Sequence, residues 1–275
     1  PPPPFFRALS RVSRATPSRR AALEAGARDF IAKPFEFWEL LARVRNLLDL
    51  HMLAKAEKAR AMVLEAAVRA RTQELERTQR EVVRRLCTAG EFRDLDTGQH
   101  VARIGAMAGA LARAMGCEDA FADLVETAAP LHDIGKLAVP DRILLKPGRL
   151  TEEEWEIMRG HAEAGHRILR GSGIAMLDFA AEIALTHHER WDGGGYPHGL
   201  SGEAIPLAGR IVAVVDVFDA LCTPRPYKDA WPVPEAVDYL RAQAGSQFDP
   251  DLVEGFVAGI DEMLGLRDRI DGRQA

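Results

Sequence analysis

The sequence predicts a mainly all-α protein, and three observations carry that expectation. Residues 51–92 run without glycine or proline as far as Gly90. Within them Leu53, Leu64, Val68, Leu75, Thr78, Val82 and Leu86 recur mostly three, four or seven positions apart with charges between, the pattern of one long helix. From about residue 82 onward helical spacing dominates, punctuated by turn chemistry at Gly116, at Lys146-Pro147-Gly148, at Gly171-Ser172-Gly173 and at Gly193-Gly194-Gly195. Only residues 29–32, DFIA, read as a short strand.

In chain order, residues 1–50 open with PPPPFF and a Ser/Arg-rich piece. Gly26 then stops a helix, DFIA follows, Lys33-Pro34 breaks the chain, and Phe37, Leu40, Leu41, Val44 and Leu47 or Leu48 mark a second helix. This order of helix, strand, Lys-Pro and helix resembles the last third of a response-regulator receiver domain. The resemblance implies a small α/β remnant, truncated ahead of the phosphoacceptor strand and therefore without a working phosphorylation site; the alternative is a short helical hairpin. Residues 51–81 form a coiled-coil-like helical linker, which either pairs with a second copy of itself or folds back on the main domain. Residues 82–275 form the main helical domain.

Composition narrows the function. With 275 residues and 47% apolar content there is ample material for a packed core. The longest apolar runs, such as residues 211–215, are cut short by charges well before the roughly 20 residues that cross a bilayer, and no signal peptide opens the chain. Three widely spaced cysteines, Cys87, Cys117 and Cys222, suit reduced thiols and a cytoplasmic location rather than a disulfide framework. A net charge of -5 argues against bulk nucleic-acid binding while leaving room for a local basic cluster that binds a small anion.

The polar residues that helical periodicity cannot explain fall in one region. Asp96 and His100 lie four apart and would share a helix face. His132 and Asp133 follow an apolar stretch, His161 comes next, then the adjacent pair His187 and His188, then Asp216 and Asp219 inside RIVAVVDVFDAL. A charged Asp216 in so apolar a setting is costly unless a cation neutralises it. Imidazoles and carboxylates without thiolates suit manganese, iron, nickel, cobalt or zinc, and the set exceeds what one ion requires. Two divalent ions about 3.5–4 Å apart would use it. The other three histidines, His51, His166 and His198, are read as solvated.

The succession HDIGK at 132–136, HHERWDGGGYP at 187–197 and DVFDAL at 216–221 is similar to the HD-GYP family of cyclic di-GMP phosphodiesterases, a branch of the HD phosphohydrolases. The likeness extends through RDLDTGQHVARI, KPGRLTEEEW, RPYK and QFDP and covers about two thirds of the chain. It implies a helical bundle with a metal cluster in its core. Its metal ligands would be His100, His132, Asp133, His161, His187, His188 and Asp216, with Asp133 bridging two divalent transition-metal ions, iron or manganese first among them. It further implies that Lys136 serves the leaving oxygen, that Tyr196 offers an aromatic face to a guanine, and that Arg225 and Lys228 attract the ligand's phosphate. Asp192 would tie down the glycine loop, and Asp219 would support the cluster or position Lys228. Asp249-Pro250 reads as a helix N-cap followed by proline at the first helical position.

The resemblance implies hydrolysis of cyclic di-GMP to pGpG, with GMP as a further product. The alternatives are a non-catalytic receptor for cyclic dinucleotides and a phosphohydrolase of another one, such as cyclic GMP-AMP. Implied partners are a second copy joined through the N-terminal helix and signalling proteins such as a diguanylate cyclase; a membrane is not among them. Asp96 departs from the glutamate that several family members carry four residues before the first histidine. An aspartate is one methylene shorter, so it is expected at most to make a water-mediated contact to a third metal, leaving a two-metal site that favours stopping at pGpG.

Overall fold

The structure is a computed structural model that describes residues 29–31, 34–91, 98–224 and 229–272. The chain separates into two compact units, Pro1–Leu75 and Glu76–Ala275. Helix α1, Phe37–Glu91, unites in one element the two helical stretches read from the sequence. In the first unit Arg43 forks onto both Asp29 carboxylate oxygens at 2.9 and 3.0 Å and reaches Glu39 at 3.2 Å. Residues 29–31 form no strand. This corrects the expectation for DFIA: a strand requires a pairing edge, and the described residues supply none. Lys33 and the stretch before residue 29 lie outside the described residues.

The second unit is helical throughout its regular structure. After α1 come α2 (Gly98–Ala114), α3 (Asp119–Ala128), α4 (Asp141–Leu144), α5 (Glu152–Arg159), α6 (His161–Leu169), α7 (Ala175–Thr186), α8 (Leu207–Cys222), α9 (Val233–Ala242), α10 (Pro250–Ala258) and α11 (Ile260–Asp271). Two short 3-10 turns, Ala129–Leu131 and Ile134–Ala138, join α3 to α4 and leave His132 and Asp133 between them. Among the described residues, pairing outside helices is confined to the isolated bridges Asp192–Ser201 and Ala244–Phe248.

Helices α2 and α8 make the centre of the core. Ile104, Met107 and Leu111 of α2 pack in one cluster with Val214, Val215 and Phe218 of α8, with Val83 and Cys87 from the end of α1, and with Phe256 of α10. The rings of Phe218 and Phe256 meet edge to face at 4.8 Å. Each fully buried side chain of this size contributes about 1.5–3 kcal/mol, and α8 is apolar on nearly all sides because it is enclosed on nearly all sides. Its three charged residues are therefore the exceptions that need an electrostatic reason: Arg210 pairs with Asp249, and Asp216 and Asp219 face the interior of the bundle.

Local signals in the sequence account for several boundaries. Thr151 and Glu154 close a reciprocal capping box at the start of α5. Asp249 caps α10, accepting from the Asp251 amide at 3.0 Å, with Pro250 at the first helical position as expected. Helix α7 ends at Thr186, so the His187-His188 pair falls at its C-terminus.

Candidate metal centre

Five short stretches deliver the site. The first turn of α2 brings His100, the junction of the two 3-10 turns brings His132 and Asp133, the start of α6 brings His161, the end of α7 brings His187 and His188, and the middle of α8 brings Asp216. They assemble into two groups, Asp133 with His161, His187 and His188, and His100 with His132 and Asp216, each with ligand atoms within 4.8 Å of one another. All seven residues read from the sequence as metal ligands are thereby brought together.

The two groups meet at Asp133. Its Oδ1 lies 3.3 Å from His161 Nε2 and 3.6 Å from His187 Nε2, whereas its Oδ2 lies 3.4 Å from His132 Nε2. Asp216 Oδ1 lies 3.6 Å from His100 Nε2 and 3.7 Å from His132 Nε2. Asp133 thus faces both groups with different oxygens, the disposition of a bridging carboxylate.

The histidines are oriented by their outer nitrogens. Nδ1 of His132 lies 2.9 Å from the Ala129 carbonyl, Nδ1 of His161 2.6 Å from that of Met158, and Nδ1 of His187 3.0 Å from that of Ala184. A carbonyl only accepts, so each Nδ1 carries a proton, and in the neutral ring, the form that binds a metal, Nε2 then presents a lone pair inward. Among the described residues, Nε2 of His132, His161 and His187 and Oδ1 of Asp133 are buried without a hydrogen-bond partner. Four acceptor atoms aimed at one buried space fit a divalent cation, which leaves no acceptor unsatisfied.

His100 is held differently. Its Nδ1 lies 2.8 Å from Asp219 Oδ2, and Asp219 is fully buried. Asp219 receives a two-pronged Arg103 guanidinium at 2.7 and 2.8 Å, and Arg267 Nε stands 3.5 Å away. Arg103 also donates to Asp271 at 2.8 Å, at the far end of α11. Burial opposes the charge on Asp219, yet His100 and Arg103 hold its carboxyl below the usual range. Arg103, Arg267 and Asp271 were not singled out from the sequence. They lie as far as 168 positions apart, and nothing local announces the contact.

The field inside the pocket favours added positive charge. Burial works against a charged His132, but the Asp133 carboxylate raises it to about 9. Asp133, although buried, is held well below the usual carboxylate range by Lys136 and His132. Lys136 Nζ sits 2.8 Å from Asp133 Oδ2. Burial and the neighbouring His187 press His188 well down, leaving a neutral imidazole suited to ligation.

The glycine loop closes one side. Asp192 accepts the Gly194 amide at 2.8 Å and pairs with Arg190 at 3.0 Å. The buried Glu189, unassigned in the sequence, takes the amides of His198 and Leu200 at 2.8 and 3.0 Å and holds the loop from within. Gly195 is required by close approach, since a Cβ there would come within 2.4 Å of the Arg190 nitrogen and 2.6 Å of the His188 oxygen. Gly135 is tighter still, with a Cβ falling 1.9 Å from the His161 carbonyl oxygen. Tyr196 stacks on His188 with ring centres 4.7 Å apart and planes at 27°. His166 departs from the solvated role expected of it: it is half-buried, with Nδ1 3.2 Å from the Ala181 carbonyl. Asp96, Arg225 and Lys228 lie outside the described residues.

A helical bundle closed around a buried histidine–aspartate centre defines a metal-binding class of protein. Residues 62–252 match the HD domain family, and the chain belongs to that family. It is 49% identical over 243 residues to the cyclic di-GMP phosphodiesterase response regulator RpfG of Xanthomonas campestris pv. campestris (strain 8004), covering 88% of this chain and 64% of that one. It is 44% identical to a cyclic di-GMP phosphodiesterase of Thermotoga maritima, covering 86% and 67%. It is 46% identical to the 3'3'-cGAMP-specific phosphodiesterase 2 of Vibrio cholerae, covering 70% and 37%. In fold it is similar to the crystal structure of a cyclic GMP-AMP-specific phosphodiesterase of Vibrio cholerae, with a TM-score of 0.50 at 21% identity over 71% of this chain and 54% of that one. The chain thus spans between about a third and two thirds of these curated relatives. HD-domain phosphohydrolases hold divalent metals, and the two groups at Asp133 are where this chain would hold them. Among the described residues no helix is long and apolar enough to cross a membrane.

Proposed function

We propose that the chain is a metal-dependent phosphodiesterase of the HD-GYP type that hydrolyses cyclic di-GMP to pGpG. The observation that carries the proposal is the convergence of unsatisfied Nε2 and Oδ1 atoms on a space that Asp133 faces with both oxygens. His161, His187, His188 and Asp133 would hold one ion, and His100, His132, Asp216 and Asp133 the other, with iron or manganese the metals of choice. Two divalent ions so held would polarise the phosphodiester and make water acidic enough to attack near neutral pH.

The chain's own groups do the rest. The backbone anchors of Nδ1 keep three imidazoles facing inward, so that no reorganisation is needed when charge develops. Lys136, held against Asp133 at 2.8 Å, sets an ammonium where the departing ribose 3′ oxygen needs a proton or a positive neighbour. Arg225 and Lys228 are assigned to a phosphate oxygen of the ligand, and Asp96 at most to a water-mediated contact. Residues 1–50 are assigned to a receiver-type segment, a reading supported by the response-regulator relative whose alignment covers 88% of this chain.

A second copy of the chain is the partner assigned to α1. Leu40, Leu47, Ala54, Ala61, Val68, Leu75 and Val82 recur at seven-residue intervals along it, the row of a two-stranded seam. Cyclic GMP-AMP is the second substrate reading, favoured by the 46% identity to a phosphodiesterase of that name. Chromatography of products after incubating iron- or manganese-loaded protein with cyclic di-GMP, 3'3'-cyclic GMP-AMP and cyclic di-AMP tests both. Conversion of cyclic di-GMP to pGpG at the highest kcat/KM is expected. Preference for the mixed dinucleotide would favour the second reading, and cleavage of none would refute both.

A further inference from the structure

Helix α5 carries two side chains for which neither packing nor the metal centre accounts. Trp155 and Arg159 stand one helical turn apart on a helix with no buried residue. The Arg159 guanidinium lies 6.0 Å over the Trp155 ring and 5.9 Å over the Tyr196 ring. Tyr196 in turn stacks on His188. Imidazole, phenol, guanidinium and indole therefore follow one another outward from the buried centre to the surface.

This order changes which surface can receive a base. His188 stacks on a face of the half-buried Tyr196, whereas Trp155 meets no other ring among the described residues and remains 42% exposed, with the Arg159 guanidinium about equally far from both rings. The ion pair from Arg159 to Glu152 is long, 4.0 Å between Nη2 and Oε1, beyond hydrogen-bond distance. Its fork of donors is thus presented beside an open indole, next to a metal centre suited to phosphate. A purine stacks on an indole with little regard to its edge, while a guanidinium fork distinguishes edges. Guanine offers two acceptors, N7 and O6, to one fork. Adenine sets a donor amine at the second position and opposes it.

We propose that Trp155 and Arg159 form a guanine subsite at the rim of the metal centre, Trp155 stacking on the base and Arg159 reading its N7 and O6. The assignment rests on the cyclic-dinucleotide reading above and adds the feature that selects the base. A cyclic dinucleotide flanks its phosphates with two bases, so a platform just outside the centre is where one of them would lie.

The test measures the apparent affinity of cyclic di-GMP and of cyclic di-AMP for metal-loaded protein, each as KM or, for a poor substrate, as an inhibition constant. Arg159→Met is expected to weaken cyclic di-GMP about tenfold, equivalent to about 1.4 kcal/mol, while leaving cyclic di-AMP nearly as before. Arg159→Lys keeps the charge and loses the fork, so it should lose the same selectivity. Trp155→Ala should weaken both dinucleotides together, and Trp155→Phe should restore most of the affinity. Metal content and helical circular dichroism are measured on every variant to exclude a folding effect. Equal losses on both ligands in Arg159→Met, full rescue by lysine, or no loss in any variant would overturn the subsite while leaving the phosphodiesterase reading intact. A wild-type protein that holds metal and binds neither dinucleotide would refute that reading and the subsite with it.

Discussion

The metal centre and the exposed length of α1 solve opposite problems. At the centre, polar atoms are buried and each outer nitrogen of His100, His132, His161 and His187 has a fixed partner, so the residues are over-determined by tertiary structure. Along α1 between Phe37 and Leu75 most large apolar side chains stay exposed, Leu64 at 65%, with Leu40 and Leu47 half-buried, and the ion pairs within the helix are short-range, such as Arg71 with Glu74 and Arg43 with Glu39. One region is specified by contacts remote in sequence, the other by helix propensity and spacing. The difference teaches that substitutions should act through packing and ligation in the first, and through association with another surface in the second.

The sharpest way to break this contrast is Asp133→Ala. It removes the carboxylate that faces both groups, so metal content should fall and diester cleavage should drop to background while the helical circular dichroism persists. Retained activity at normal metal loading would remove the bridge from the account. Gly135→Ala comes next. Its methyl would press on the His161 carbonyl oxygen from 1.9 Å, and the resulting overpacking should cost about 3 kcal/mol, read as a lowered Tm together with impaired metal uptake.

Asp219→Asn acts one step further out. It leaves Arg103 and Arg267 without their full charge partner and His100 without a strong acceptor, so metal affinity should fall about 10–100-fold. Because the folded-state pKa of Asp219 is lowered, its stabilisation is present above the ordinary carboxylate pKa of about 3.9 and is lost as pH falls below that toward the depressed value. The variant's acid unfolding should accordingly be shallower than wild type, and an identical acid profile would show that the pair contributes nothing. The smallest effects belong to α1. Leu64→Gln should change thermal stability by no more than about 0.5 kcal/mol while weakening self-association in sedimentation, and removal of residues 1–50 should preserve catalysis.

The same contrast explains what could be read in advance. Five histidines and Asp216 were legible because an ionisable side chain in an apolar helical context has no packing reason to be there. Glycines at 135 and 195 were visible within motifs, but their cause, the near contact with His161 and with Arg190, exists only in three dimensions. The Nδ1 anchors were illegible for another reason: they are backbone carbonyls of Ala129, Met158 and Ala184, which any residue would offer. Arg103 and Arg267 read as ordinary helical charges until α11 and α8 bring them to Asp219. Residues 29–31 of DFIA form no strand, since local β-propensity is weak without a neighbouring edge and the described residues offer none.

The most direct measurement is a metal titration of chelator-stripped protein with Fe²⁺ under anaerobic conditions, or with Mn²⁺, following cyclic di-GMP and pGpG by chromatography at each point. Cleavage should be absent without metal, stay low at one ion per chain and rise as the second group fills, with Asp133→Ala inactive throughout. Full cleavage by stripped protein, or a rate that reaches its plateau at one ion per chain, would contradict the account.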